Sequence, residues 1–488
     1  MKSLIWVVLS CCFWQESFAM QDTIFREYDI RGIVNRELSI EKAYDLARAI
    51  AVYFIEKNPA VTTVAVGMDG RIHSAAIKEQ LCKGLLDSGL DVTFLGVCPS
   101  PALYFALHTL PVHAGIMITA SHNPKEYNGF KICLGTDSVS GKEIAAIKDL
   151  FKSGAHRTSI SKKGIYQEYA IIEPYVTMLV EKFPHLRGMN IPAVIDCGNG
   201  AAGTVLPELV KRMGWSQVHL LYPEVDGTYP HHEADPTVAA NMVDVKKVLA
   251  TTPSVVGLGL DGDADRMAAM TKEGELVVGD RLLALFAQHI APTHPGAAVV
   301  FDVNASMVLI ETLKKIGLRG CMASVGFPLV KARAKKENAL LAGELSCHFL
   351  FKDRYFGYDD GIYSALRLFE ILVATGKTLT ELLATLPSTV STPAIRMVCK
   401  EEDKKKIVRA VHEYLARKQG LELITIDGVR AQFPHGWGII RASNTEPKIM
   451  VRFEADTVGH VHELKQEFYQ ALVPFFDEAY LRTRLELA

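Results

Sequence analysis

The sequence has no excess of either charge. Its 53 Lys and Arg stand against 55 Asp and Glu, for a formal net charge of −2. That balance offers no broad field for nucleic acid or an anionic membrane, so any anion must be bound by local groups. C-x-x-C pairs are absent as well. The nine cysteines (Cys11, Cys12, Cys82, Cys98, Cys133, Cys197, Cys321, Cys347, Cys399) are scattered without metal-ligand spacing, and an odd number in a long chain reads as reduced thiols. The N-terminal apolar run, Leu4–Trp14, is too short to span a bilayer. No G-x-S-x-G elbow surrounds Ser121, which argues against a serine hydrolase. What is present is a soluble globular composition, 49% hydrophobic and 22% charged, in 488 residues, enough for roughly three to four domains.

Along the chain, buried-type strands alternate with amphipathic helices. Helical spacing of Ala43, Leu46, Ala47, Ile50 and Phe54 predicts a helix, followed by strand Val64–Gly67, a helix over about Ala75–Ser88 and strand Asp91–Leu95. The run Ala114–Ile118 then leads into Thr119-Ala120-Ser121-His122-Asn123-Pro124. After a charged stretch, Lys142–Lys163, the same order restarts at Ala193–Ile195 and again near Leu276. Three related α/β domains with mixed sheets are expected, at residues 20–168, 169–272 and 273–387. Beyond Thr392 the pattern becomes that of a smaller α+β domain, residues 388–488: a charged helix over Lys400–Gln419, strands at Leu423–Ile426, Ile439–Arg441 and Ile449–Glu454, and one long closing helix. Residues 1–19 stand apart as a signal-like or over-long extension, because Lys2, Leu4–Trp14 and Ser17-Phe18-Ala19 follow the n-region, h-region and cleavage-site order.

Four stretches carry chemistry. Ser121 is delivered on a sharp loop at the carboxyl end of a strand, where α/β sheets bind ligands, and its hydroxyl is placed to carry a phosphoryl group. Asp261-Gly262-Asp263-Ala264-Asp265-Arg266 follows the apolar run Val255–Leu260. In an extended loop, carboxylates at i, i+2 and i+4 face one way and converge on a hard cation such as Mg²⁺. An EF-hand is excluded, because Arg266 occupies the sixth position and Lys272 the twelfth. Glu344, Ser346 and His348 offer a carboxylate, a hydroxyl and an imidazole to a polyol, although alone this is equally an ordinary turn. Arg441-Ala442-Ser443-Asn444-Thr445-Glu446-Pro447 has the arginine, hydroxyls and amide of a phosphate nest, with a capped turn as the bland alternative.

In this order and over this length, the four stretches resemble the α-D-phosphohexomutase superfamily, and within it the bacterial phosphomannomutase/phosphoglucomutase branch. The likeness runs from Phe25 to the C-terminus. It implies a four-domain, heart-shaped enzyme with a central cleft that interconverts hexose 1-phosphate and hexose 6-phosphate through a phosphoserine and a hexose 1,6-bisphosphate, the latter also the activator. By that likeness Ser121 is phosphorylated, and one Mg²⁺ is held by Asp261, Asp263, Asp265 and the phosphoserine. Lys131 assists proton transfer, and Tyr28 and Arg31 border the site; Arg266, by its own place beside the acids, is a catalytic candidate that holds them or touches phosphate. Glu344, Ser346 and His348 bind the sugar; Arg441, Ser443, Asn444 and Thr445 hold the non-reacting phosphate. Asn444 and Thr119-Ala120-Ser121 lean toward mannose or glucose rather than glucosamine.

Three positions depart from the family pattern: Cys347 where Gly is usual, Phe327 where His is common, and Asn304 where Lys is usual. A hinge near Pro387–Pro393 would let the fourth domain close. Expected partners are hexose phosphates, without nucleic acid or membrane, in a monomer or weak homodimer. Phosphosugars are made inside cells, which favours initiation at Met20 and a cytoplasmic enzyme, export being the minority reading. The alternatives are a phosphoglucosamine-type mutase of the same fold, a phosphatase that leaks phosphate to water, or an exported sugar-phosphate-binding protein.

Overall fold

The computed structural model describes residues 20–154, 162–443 and 447–487. Four β-sheets follow one another along the chain. The first contains β1 (Ile30–Ile33), β2 (Thr63–Met68), β3 (Asp91–Val97), β4 (Ala114–Ile118), β5 (Tyr127–Leu134), β6 (Asp137–Ser138) and β7 (Tyr166–Glu168), in the order β1-β5-β4-β2-β3-β7 with β6 beside β5. The second contains β8 (Ala193–Asp196), β9 (Val218–Leu221), β10 (Val256–Leu260), β11 (Met267–Thr271) and β12 (Leu276–Val277), ordered β12-β11-β10-β8-β9. The third contains β13 (Ala298–Asp302), β14 (Arg319–Ala323), β15 (Leu341–Gly343) and β16 (Phe349–Phe351), ordered β14-β13-β15-β16.

One plan recurs in all three. A first strand pairs in parallel with the two that follow it, as β2 does with β3 and β4, β8 with β9 and β10, and β13 with β14 and β15. A fourth strand then returns antiparallel to the third: β5 on β4, β11 on β10, β16 on β15. The parallel strands β4, β10 and β13 are buried throughout, as strands covered on both faces must be. The three related α/β units predicted from the sequence are therefore present. The strand at Leu276, read as opening the third unit, instead pairs with β11 and belongs to the second sheet.

The fourth sheet is antiparallel: β17 (Val390–Ser391), β18 (Ile395–Val398), β19 (Glu422–Ile424), β20 (Val429–Phe433), β21 (Gly436–Ala442) and β22 (Lys448–Ala455). The charged helix is shorter than predicted, Lys404–Leu415, because only Ile407, Val411 and Leu415 with the Lys404 stem reach the core. The single closing helix is in fact two, Val458–Leu472 and Glu478–Leu485, the second started by the Asp477 side chain accepting from Tyr480 N–H. Within the segment expected to act as a hinge, Val390 and Ser391 form β17 and pair with β22.

Helix Gly361–Thr375 ties the units together. It follows the third sheet in sequence but packs against β10 and β11 of the second. Every residue from Gly361 to Leu372 is buried, and Arg367 is held inside by Asp353 at 2.8 Å.

Candidate functional site

In each of the three α/β units the loop between the third parallel strand and its antiparallel return carries one of the predicted motifs. Ser121 lies between β4 and β5, the aspartates between β10 and β11, and Glu344 to His348 between β15 and β16. Recurrent topology thus sends three corresponding loops to one place.

Ser121 lies on the loop expected at the end of its strand and is buried there, at 1% exposure. Its φ of 51° is a conformation that L-residues adopt at a cost, and it is held there by neighbours on every side. Its N–H donates to Thr119 Oγ1 at 2.8 Å, its carbonyl accepts from Arg71 Nη2 at 2.7 Å, and its hydroxyl donates to Asp261 Oδ2 at 2.7 Å. His122 Nδ1 is 3.3 Å from the same hydroxyl, and burial together with Arg266 and Arg31 holds that imidazole well below its ordinary pKa, hence neutral.

Asp261, Asp263 and Asp265 are all buried and converge as predicted: one carboxylate oxygen from each lies within 4.8 Å of the others. The means differ from the expectation. The backbone is not extended but turns at Ala264, whose φ is 58°. Three acids packed this closely repel one another. Burial, Asp265 and Asp263 drive Asp261 well above the usual carboxylate range, whereas at Asp263 the Lys131 ammonium and the Ser100 hydroxyl outweigh burial and keep the acid ionised. Lys131 projects from β5 and donates to Asp263 at 2.6 Å and to Asp265; burial opposes its charge, but the two carboxylates raise its pKa. Asp263 Oδ1 and Asp265 Oδ1 are buried without a hydrogen-bond partner among the described residues. Oxygen donors of this kind, beside a serine hydroxyl, fit a hard divalent cation.

The aspartate loop is stitched to its neighbours. Gly262 lies so close to Ser121 that a Cβ there would sit 2.6 Å from the Ser121 carbonyl oxygen. Ser100 N–H donates to Asp263 O at 2.9 Å, and its hydroxyl donates to the Asp263 carboxylate. On the other side Arg266 forms an isolated antiparallel bridge with His348, and its Nε donates to His348 Nε2 at 3.0 Å. His348 Nδ1 is 3.1 Å from Asp359, and its ring stacks on Phe327 with centroids 4.9 Å apart. The phenylalanine that departs from the family pattern therefore forms one wall of the imidazole.

Glu344 is buried and accepts from Gly326 N–H at 2.7 Å; burial and Asp302 push its carboxyl up to about 7. Ser346 is half-buried beside Cys347, whose φ of 68° explains why glycine suits that position. Asn304 spends its N–H on Asp302 Oδ1 at 2.6 Å, and its carbonyl accepts from Arg452.

Tyr28 and Arg31 flank the serine loop. Arg31 donates to Ala120 O at 3.0 Å, to Asn123 Oδ1 and to Asp29, while Tyr28 donates to Val325 O in the third unit. From there the contacts run to the fourth unit: Val325 N–H donates to Asp427 Oδ2 at 3.1 Å, and Arg441 Nη2 to the same oxygen at 2.7 Å. Ser443 is buried, and its carbonyl accepts from Lys404 at 2.7 Å. Asn444 and Thr445 lie outside the described residues, as do residues 1–19.

Several residues of consequence were not singled out from the sequence. Arg71 is fully buried and donates to four carbonyls of the serine loop, those of Ser121, Asn123, Pro124 and Tyr127, while Asp69 holds its Nε at 3.1 Å. Asp302 Oδ2 receives Leu345 N–H at 3.0 Å and so positions the Glu344 loop. A signal did exist. Asp69, Asp196 and Asp302 all end or follow the first strand of a unit, and each accepts the N–H two residues on.

Loops contributed by three α/β units of one plan around one serine and three acids define a multidomain architecture with a composite centre. Comparison with known proteins agrees. Sequence models of phosphoglucomutase/phosphomannomutase match in order: alpha/beta/alpha domain I over residues 22–158, domain II over 173–274, domain III over 278–390 and the C-terminal domain over 395–471. A phosphomannomutase/phosphoglucomutase of Pseudomonas syringae pv. tomato is 40% identical over 453 residues, covering 93% of this chain and 96% of that one. A Neisseria meningitidis phosphoglucomutase is 40% identical, covering 91% and 95%. A crystal structure of a phosphoglucomutase/phosphomannomutase family protein from Burkholderia thailandensis superposes with a TM-score of 0.85 at 33% identity, covering 93% of this chain and 98% of that one. The chain belongs to the phosphoglucomutase/phosphomannomutase family.

Proposed function

We propose that this chain is a phosphohexomutase that interconverts the 1- and 6-phosphates of mannose, glucose or both through a phosphoserine at Ser121. The observation that carries the reading is the Ser121 hydroxyl, 2.7 Å from Asp261 in a buried cluster of three acids, two of whose carboxylate oxygens have no hydrogen-bond partner among the described residues. Asp261, Asp263 and Asp265 hold one Mg²⁺ in this reading; when bound, it neutralises charge on the transferring phosphoryl group.

The chain's own groups do the rest. Ser121 gives its phosphoryl group to one end of the sugar and takes one back from the other, with hexose 1,6-bisphosphate turning in between and serving as activator. Lys131, kept protonated by its acid partners, stabilises negative charge on the moving group and passes a proton to the departing oxygen, regaining one from the attacking hydroxyl. Arg266 positions Asp261 and His348. Glu344, Ser346 and His348 bind sugar hydroxyls, and Tyr28 and Arg31 fix the rim. Arg441 and Ser443, with Asn444 and Thr445, grip the phosphate that does not react. Free thiols at all seven described cysteines suit the reducing cytoplasm, and no described helix is long and apolar enough to cross a membrane. A monomer or weak homodimer completes the reading.

Intact-mass measurement and coupled assays test it. The purified protein carries one extra phosphate, which Ser121→Ala lacks together with nearly all mutase activity on mannose 1-phosphate and glucose 1-phosphate. Wild-type turnover in that variant refutes the assignment. Glucosamine 1-phosphate turned over faster than either substrate transfers the chain to the glucosamine branch, and phosphate release without isomerisation identifies a phosphatase.

A further inference from the structure

A second group of ligating side chains lies on the fourth unit, outside the Ser121 centre. His435 sits in the turn between β20 and β21, Asp456 directly follows β22, and His460 is in the first turn of helix Val458–Leu472. Main-chain bonds fix all three: Asp456 N–H donates to His435 O at 3.0 Å, and His460 N–H to Thr457 Oγ1 at 3.2 Å. The two imidazoles stack with centroids 4.2 Å apart and planes 10° from parallel. Both Nδ1 atoms face the one carboxylate, His435 at 3.4 Å from Asp456 Oδ2 and His460 against Oδ1. One donor atom from each residue lies within 4.8 Å of the others, and the side chains keep 59%, 45% and 31% of their exposure, so an ion can reach them.

We propose that His435, Asp456 and His460 form a surface site for a divalent transition-metal ion of the zinc type. Two imidazole nitrogens and a carboxylate oxygen match the donors zinc takes; the stacked rings do not yet aim both lone pairs at one point, so binding requires one exposed imidazole to turn out of the stack, with water filling the fourth position of a tetrahedron. Two imidazoles and one carboxylate are a softer donor set than the three aspartates at Ser121. Its place in the fold gives such an ion a mechanical effect. Gly436 and Val390 both pair with Ala455, next to Asp456, so the ion ties the β20–β21 turn to the helix start beside the strand by which the chain enters the fourth unit. The inference does not rest on the mutase reading. Without an ion, the same three side chains form a carboxylate bridge between stacked imidazoles, and the experiment separates the two states.

Tag-free, chelator-stripped full-length protein is titrated with Zn²⁺ in excess Mg²⁺, and zinc taken up by the acidic groups near Ser121 is counted in the double variant, which retains them. The wild type is expected to bind one Zn²⁺ equivalent that His435→Ala/His460→Ala does not, and to melt at a higher temperature with zinc, whereas the double variant shows no such rise. The far-ultraviolet circular dichroism spectrum stays the same in both and reports that the variant folds. The single change His435→Gln weakens zinc binding at least tenfold. A wild type that binds no zinc under these conditions, or a double variant that keeps the wild-type stoichiometry and thermal shift, overturns the site.

Discussion

Individual side chains decide whether the Ser121 hydroxyl meets its acids. Arg71 does most of this at a distance. One guanidinium accounts for four loop carbonyls and the Asp69 carboxylate, with both members of the ion pair fully buried. Removing it leaves those acceptors and a buried carboxylate unmatched, so Arg71→Ala is expected to lose about 3 kcal/mol or more of stability. Arg71→Lys keeps the charge and the fold but cannot make the fork of bonds, and its kcat falls roughly 100-fold with KM little changed, because Ser121 is displaced rather than the sugar pocket. Calorimetry and steady-state kinetics on the pair check this; a Lys variant with wild-type kcat shows that the loop holds itself. Glu344 supplies a pH test. Its carboxyl is pushed up to about 7, so it becomes a carboxylate, and a better acceptor for sugar hydroxyls, as the pH rises through 7. KM should therefore fall across that interval, and Glu344→Gln should show a flat KM. Equal pH profiles in the two proteins remove Glu344 from sugar recognition. At this scale the sequence was informative where a residue is conspicuous in its own loop, as Ser121 and the aspartates are. Arg71 was missed because its role appears only 50 residues away, and Ser100 because its partner Asp263 is 163 residues distant.

Elements succeed or fail here by how closely their backbones approach. Helix Gly361–Thr375 begins against the aspartate loop: Gly361 N–H donates to Ala264 O at 3.0 Å, and a Cβ at Gly361 would lie 2.5 Å from the Arg266 carbonyl oxygen. Neither backbone can yield without moving Asp265 or Arg266. Gly361→Ala is accordingly expected to destabilise the protein by about 1–3 kcal/mol and to raise the Mg²⁺ concentration needed for half-maximal activity. A metal titration unchanged from wild type means that the helix does not set the loop. The strands were legible because apolar runs bounded by turn residues leave little choice of structure. Less legible were ends governed by side-chain caps, such as the Asp477 bond that starts a separate last helix, and the crossing of helix Gly361–Thr375 to another unit's sheet, which no local pattern announces. The extended geometry expected of the aspartates failed for a related reason. Alternation along a strand and a tight turn at Ala264 can both gather three acids, and spacing alone does not distinguish them.

On the scale of the whole molecule, three repeats of one sheet plan bring three corresponding loops together, and the fourth unit must be presented to them. A buried joint does this. Arg430 on β20 lies wholly inside, donates to Val303 O and Ala305 O of the third unit at 2.7 Å each, and sits 3.8 Å above the Trp437 ring. Arg452 reaches Asn304 O at 2.7 Å, while Glu454 receives Trp437 Nε1 at 2.9 Å and the Ser306 hydroxyl. Burial lowers Arg430 to about 10, which leaves it charged at neutral pH and able to hold both carbonyls. The same docking carries Arg441 to Asp427, which touches Val325 beside Tyr28. Arg430→Met fills the space but leaves two carbonyls without donors, so the joint loosens while each unit keeps its own core. If the fourth unit holds the phosphate that does not react, KM for the 1-phosphate and the 6-phosphate should rise together, by about tenfold, or about 1.4 kcal/mol of lost binding. The phosphate on Ser121, read by intact mass, should stay in place, because the serine loop and acids belong to other units. A KM change confined to one isomer would instead assign the fourth unit to a single orientation of the sugar, and an unchanged KM for both would detach it from substrate binding altogether.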